Sequence, residues 1–207
     1  MASDLKQENN RSIFLIMAAS LGVSAFFQFD LSSLSDVVEV LIAGSGGIVL
    51  SAVLVMLANL LPQGIKHKLI FTRIKDELPA CRVNQVCKKD SRIEYELVEE
   101  RWPQVFAVDI DGSTRNSRWY QQIYKSVKDK QEVLQAHRNF LLYRDAFSGL
   151  FLILLITLIW SLFGSSEIIG DIKPMVFWLQ GALTALSLVA ARTAGNRFVV
   201  NAVAAAE

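Results

Sequence analysis

Histidine and cysteine are nearly missing from this chain, and their scarcity removes one class of chemistry at the outset. His67, His137, Cys81 and Cys87 are the full complement. Two cysteines six apart, with His67 the nearest histidine, fall short of the four closely paired ligands that a zinc site needs. No serine sits in a nucleophile elbow, and 136–139 (AHRN) lacks the glycine-rich loop and lysine that accompany a kinase catalytic loop. Taking Gly112 as the sixth position of a calcium loop puts Ala107 first and Arg118 twelfth, where carboxylates are required. No metal and no organic cofactor is expected.

A second absence is positional. The segments 30–36 and 164–173 contain a single basic residue, Lys173. They join apolar stretches at 13–29, 37–61, 146–163 and 174–191, each near the roughly 17–25 residues that cross a bilayer as a helix. All other Lys and Arg residues lie in the N-terminal segment, the region between the second and third stretches, or the C-terminal tail. The positive-inside rule therefore predicts a multi-pass protein of the bacterial inner membrane, with both termini and the middle region cytoplasmic. Aromatic residues agree: Phe26, Phe27 and Phe29, Trp160 and Phe163, and Phe177 with Trp178 all map to the outer interface. Lys6 and Arg11 precede the first stretch, but Phe26–Asp30 lacks small residues for cleavage, so the stretch reads as retained. The two thiols then face a reducing compartment and read as buried or inert.

What is present is apolar. The chain is 52% hydrophobic with a mean hydropathy of +0.34, too high for an ordinary soluble domain. The expected fold is all-α: an N-terminal transmembrane hairpin (1–64), a cytoplasmic helical module (65–145), and a C-terminal hairpin with a short tail (146–207). Between Gly64 and Asp145 there are 16 basic and 12 acidic residues. That mild, mixed surplus suits anionic headgroups and does not call for direct nucleic-acid binding. Trp119, Tyr120, Ile123, Tyr124 and Val127 form one amphipathic stripe, and Val133, Leu134, His137 and Leu141 a second. They predict a helical hairpin whose second arm runs into the third span without a breaker. Further helices are expected at 66–78 and 92–102, the latter ended by Pro103, with a loop at 109–116.

Small residues mark two candidate packing or oligomerisation faces: Ala43, Gly47 and Ser51 in the second span, Gly181 and Ala185 in the fourth. Either face serves packing within the monomer or between subunits, and a homo-oligomer is expected. Glu39, Asn59 and Gln180 are intramembrane polar candidates, because burying such groups in lipid is costly without a partner. They form no spaced acidic chain of the kind proton-coupled transporters use. His137 lies on an apolar stripe and reads as a core histidine. Arg115, Arg118, Trp119 and Tyr124 are the candidates for docking a cytosolic protein partner, with the two aromatics equally readable as core.

Residues 105–114, VFAVDIDGST, resemble the first motif of haloacid-dehalogenase-type phosphatases, which makes Asp109 the nucleophile and Asp111 the general acid. Such chemistry needs an α/β core and further motifs, whereas the residues after Gly112 read as helix, so the preferred reading is a polar turn. No enzymatic activity is expected. In size, topology and inserted module the whole chain resembles the small membrane subunits of bacterial anti-phage defence loci, among them the four-helix subunit of the Kiwa system. Pore-forming effectors of nucleotide-signalling defence systems are similar in outline. The resemblance implies a membrane sensor or scaffold, with an oligomeric pore as the alternative.

Overall fold

The computed structural model describes residues 2–29, 46–164 and 170–207, and every regular element among them is helical. In chain order these are α1 (Ala2–Gln28), α2 (Gly46–Leu60), α3 (Gln63–Phe71), a 3₁₀ turn (Pro79–Arg82) leading into α4 (Val83–Cys87), α5 (Tyr95–Arg101), α6 (Pro103–Phe106) and α7 (Gly112–Trp119). A π-helical turn, Tyr120–Tyr124, and one short segment, Lys125–Val127, extend α7 before α8 (Gln131–Phe163) and α9 (Pro174–Ala206). Among the described residues, three helices are long and apolar enough to cross a membrane: Glu8–Gln28 within α1, all of α8, and all of α9. The described part of the second apolar stretch is α2, 15 residues long. Glu39 and Ala43 lie outside the described residues.

The chain forms two compact units. The first comprises Met1–Pro62 and Leu142–Val189. Its core is Ile13 and Met17 of α1, Leu54 and Ala58 of α2 and Ile153 of α8, flanked by Leu21, Leu50 and Leu57. Gly149 lets α8 approach closely, since a Cβ there would overlap the Met17 thioether. Leu155, Ile156, Leu158, Ile159, Leu162 and Phe163 are exposed, so the apolar surface of α8 faces outward. A soluble domain would bury it; a protein dissolved in lipid leaves it exposed.

The second unit comprises Gln63–Leu141 and Ala190–Glu207. It differs from the sequence expectation at its far end, because the tail is no appendage. Helix α9 does not stop at Arg192; it continues to Ala206 and buries Ala194, Phe198, Val199, Ala202 and Val203. Small and β-branched residues at helical spacing make that face, and the final carbonyls find cations. Arg101 Nη1 donates to Glu207 O (2.8 Å), and Lys130 Nζ donates to Ala205 O. Gly195 lets aromatic rings close on α9, a Cβ there falling 2.8 Å from the Phe71 ring.

Local boundaries also shift. Helix α3 ends at Phe71, short of the expected 66–78, because Thr72 takes φ +49°. Pro103 begins α6 rather than merely closing α5, a position where its missing N–H costs nothing. The expected loop at 109–116 already contains the start of α7, capped by the Asp111 carboxylate, which accepts from Thr114 N at 2.9 Å. That hydrogen bond with Thr114 holds the exposed Asp111 carboxyl below its ordinary value.

Candidate functional site

The four docking candidates separate by burial. Arg115 is buried, and its guanidinium donates to Val105 O (3.1 Å), Cys81 O (3.1 Å) and Ala107 O (2.8 Å). Those carbonyls belong to the ends of α6 and the 3₁₀ turn, where helix geometry leaves acceptors without intrahelical donors. Arg115 is therefore an internal staple of the second unit. Trp119 is also buried, stacked on Tyr124 at 5.6 Å and edge-on to Phe198 at 5.6 Å. Tyr124 is half-buried, with its hydroxyl 3.1 Å from His137 Nδ1. Burial and the neighbouring Tyr120 and Asp129 push the Tyr124 phenol up from its ordinary value. His137 itself stacks on Phe198 at 4.6 Å, inside an aromatic core that also holds Phe140. Arg118 is half-buried like Tyr124, and its guanidinium donates to Gln104 O at 3.0 Å in an exposed hydrogen bond. Two residues on, Tyr120 of the π-helical turn is 47% exposed and lies under the Lys125 ammonium (5.5 Å), a surface aromatic that the docking set missed.

The membrane candidates are placed as follows. Gln180 is buried and donates from Nε2 to Ser24 Oγ at 3.2 Å, joining α9 to α1. Ser24 in turn donates to Ser20 O, and Thr184 to Gln180 O, both at 2.8 Å. Asn59 donates to the carbonyl of Val55 in its own helix (2.8 Å), and among the described residues it makes no bond across helices. A Cβ at Gly181 meets nothing within 4 Å, and Ala185 is exposed, so that small-residue face is open among the described residues. Gly47 and Ser51 both lie within α2.

The feature that sequence reasoning missed is a basic cleft in the second unit. It has a volume of about 430 Å³ and is lined by Arg73, Arg82, Lys89 and Arg197. These residues come from the loop after α3, the 3₁₀ turn, the stretch after α4, and α9. Spread along the sequence, they form no charge run; the fold alone brings them together. Thr72 and Asp76 bracket Arg73 with φ of +49° and +50°, a conformation that costs L-residues about 1 kcal/mol or more each. Arg192 holds that loop, donating to Ile70 O and, at 3.1 Å, to Thr72 Oγ1.

The cleft's charge is poorly compensated. Asp90 is its one acidic lining residue, and both Asp90 oxygens are taken by Arg92, at 2.9 Å from Nε and 3.0 Å from Nη2. That hydrogen bonding draws the Asp90 carboxyl below its ordinary value. The Nε of Arg82 is buried with no hydrogen-bond partner among the described residues. Burial, and then the nearby Arg73 guanidinium, pull Arg82 below the usual arginine value. Arg73 and Arg82 line the same cleft closely enough for one charge to disfavour the other, and such a pair stabilises an anion.

The phosphatase-like segment is arranged otherwise than its resemblance implies: Val105 and Phe106 are buried in helix α6, and the Asp111 side chain caps α7. No group of three or more His, Cys, Asp or Glu residues poised for a metal occurs among the described residues. No protein-family model, curated protein or solved structure matches the chain.

Proposed function

We propose that the chain is a sensor or scaffold subunit of the bacterial inner membrane, crossing it four times, with both termini and the second unit in the cytoplasm. One observation carries the reading. Helices α8 and α9 are each an unbroken 33 residues, about 50 Å at 1.5 Å per residue, against a hydrocarbon layer of about 30 Å. Each supplies core residues to the second unit at one end (Val133, Phe140; Phe198, Val203) and lipid-type apolar surface at the other. A load applied to the second unit is thus transmitted along continuous backbone into two spans, a helix-shift mechanism. The basic surplus of the middle region and the near absence of cations from 30–36 and 164–173 support the orientation. The setting, anti-phage defence, follows the architectural resemblance.

The partner is a cytosolic protein docked at Arg118 and Tyr120. Co-purification from membranes tests this: Arg118→Glu with Tyr120→Ala is expected to remove a stoichiometric partner without lowering the protein's abundance. Retention of the same partner by the double variant would contradict it. A second reading, an oligomeric pore or membrane-disrupting effector, is favoured by the buried polar line Ser20, Ser24, Gln180 and Thr184 in the first unit. Stimulus-dependent membrane depolarisation, abolished by Gln180→Leu, is the result that would promote it over the first.

A further inference from the structure

We infer that the cleft between Arg73, Arg82, Lys89 and Arg197 is a binding site for a small phosphate-bearing ligand that also carries hydroxyl groups. This site is independent of the sensor reading and stands on its own geometry. Four cations from four separate segments converge on one concavity, and its single carboxylate is already engaged by Arg92. A doubly charged oxyanion matches that surplus better than a lone carboxylate does, and a guanidinium fork presents paired donors to phosphate oxygens. The Arg82 Nε is such a donor, left without an acceptor among the described residues. Arg82 as a whole is half-buried, and an unmade hydrogen bond at one of its charged donors carries a cost that a bound anion would relieve. The strained loop around Arg73 points the same way, since both positive-φ residues flank a side chain delivered to the cleft.

The neutral lining narrows the ligand. Gln85, Thr193 and Asn196 offer amide and hydroxyl groups, suited to sugar or glycerol hydroxyls, while Val86 and Val200 provide a small apolar floor. A volume of about 430 Å³ falls in the range of small-molecule pockets. Two sources present this chemistry. Thr193, Asn196, Arg197 and Val200 follow Arg192 along α9, so the lining runs from the end of the apolar stretch to about 12 Å beyond it. A phospholipid headgroup reaches that depth from the bilayer, and a nucleotide or sugar phosphate reaches it from the cytosol.

The test uses the full chain purified in a neutral detergent. ADP and inorganic pyrophosphate are titrated calorimetrically, and native mass spectrometry reads retained phospholipid in the same preparation. Arg197→Gln, at an exposed position that tolerates substitution, is the principal variant; Arg82→Gln is the second, and Lys128→Gln, outside the cleft, is the control. Binding of ADP or pyrophosphate that weakens about tenfold or more in both cleft variants and is unchanged in the control supports a soluble ligand. Retained phosphatidylglycerol or cardiolipin, lost in the cleft variants and kept in the control, supports a headgroup. Absence of both signals in the wild-type chain overturns the proposal, and so does an equal loss in Lys128→Gln.

Discussion

Arg115 shows how one side chain changes role once its neighbours are known. As a surface cation it would contribute little; as a buried donor to three carbonyls it holds α6 and the 3₁₀ turn against α7. Arg115→Met is expected to destabilise the second unit by about 3 kcal/mol or more, since the carbonyls lose charged donors in a desolvated place. Arg118→Ala, at a more open site, is expected to stay within about 0.5 kcal/mol. Thermal melts of both variants followed by tryptophan fluorescence check the contrast, and equal melting temperatures would contradict it. Cys87 gives a second residue-scale expectation. Burial, with smaller contributions from Asp90 and Glu207, pushes its thiol up to about 12. The folded state therefore favours the protonated thiol. Stability from this group is complete below the unfolded thiol's value near 9 and is lost as pH rises toward 12. At pH 8 Cys87 is expected to resist maleimide until the protein is unfolded, and rapid labelling of folded protein would contradict the burial.

At the scale of elements, glycine distinguishes faces that are closed from faces that are open. Gly195 of α9 is closed in by the Phe71 and Phe140 rings, at 2.8 and 3.1 Å from a built Cβ. Gly195→Leu is expected to cost about 1–3 kcal/mol through overpacking. Gly181, on the same helix with nothing within 4 Å, is expected to accept leucine with an unchanged melt. If the open face mediates self-association, native mass spectrometry will show Gly181→Leu at a lower subunit number with its stability intact. A destabilised Gly181→Leu monomer would place that face inside the fold instead. Much at this scale was legible beforehand. The apolar stripes 119–127 and 133–141, the unbroken run into α8, and Pro174 at the head of α9 all follow from periodicity and proline chemistry. The ends of elements were less legible: Phe71 closes α3 early because of a positive-φ threonine, which no residue pattern announces.

For the whole molecule, charge and hydropathy spoke about the solvent but not about assembly. Lipid-length helices were readable because 20-residue apolar runs have few other uses. The basic cleft was not readable, because Arg73, Arg82, Lys89 and Arg197 meet only through tertiary structure. Nor was the place of the tail, since Ala194, Ala202 and Val203 carry too weak an apolar signal to separate a buried helix end from an exposed one. Both share one cause, that long-range packing leaves no local period. The account as a whole depends on orientation across the membrane. Single cysteines at Lys128 and at Gly170, in a chain carrying Cys81→Ser and Cys87→Ala, measure it through a membrane-impermeant maleimide. The account expects the Gly170 cysteine to react in intact cells and the Lys128 cysteine only after the inner membrane is opened; reaction at Lys128 in intact cells would contradict it.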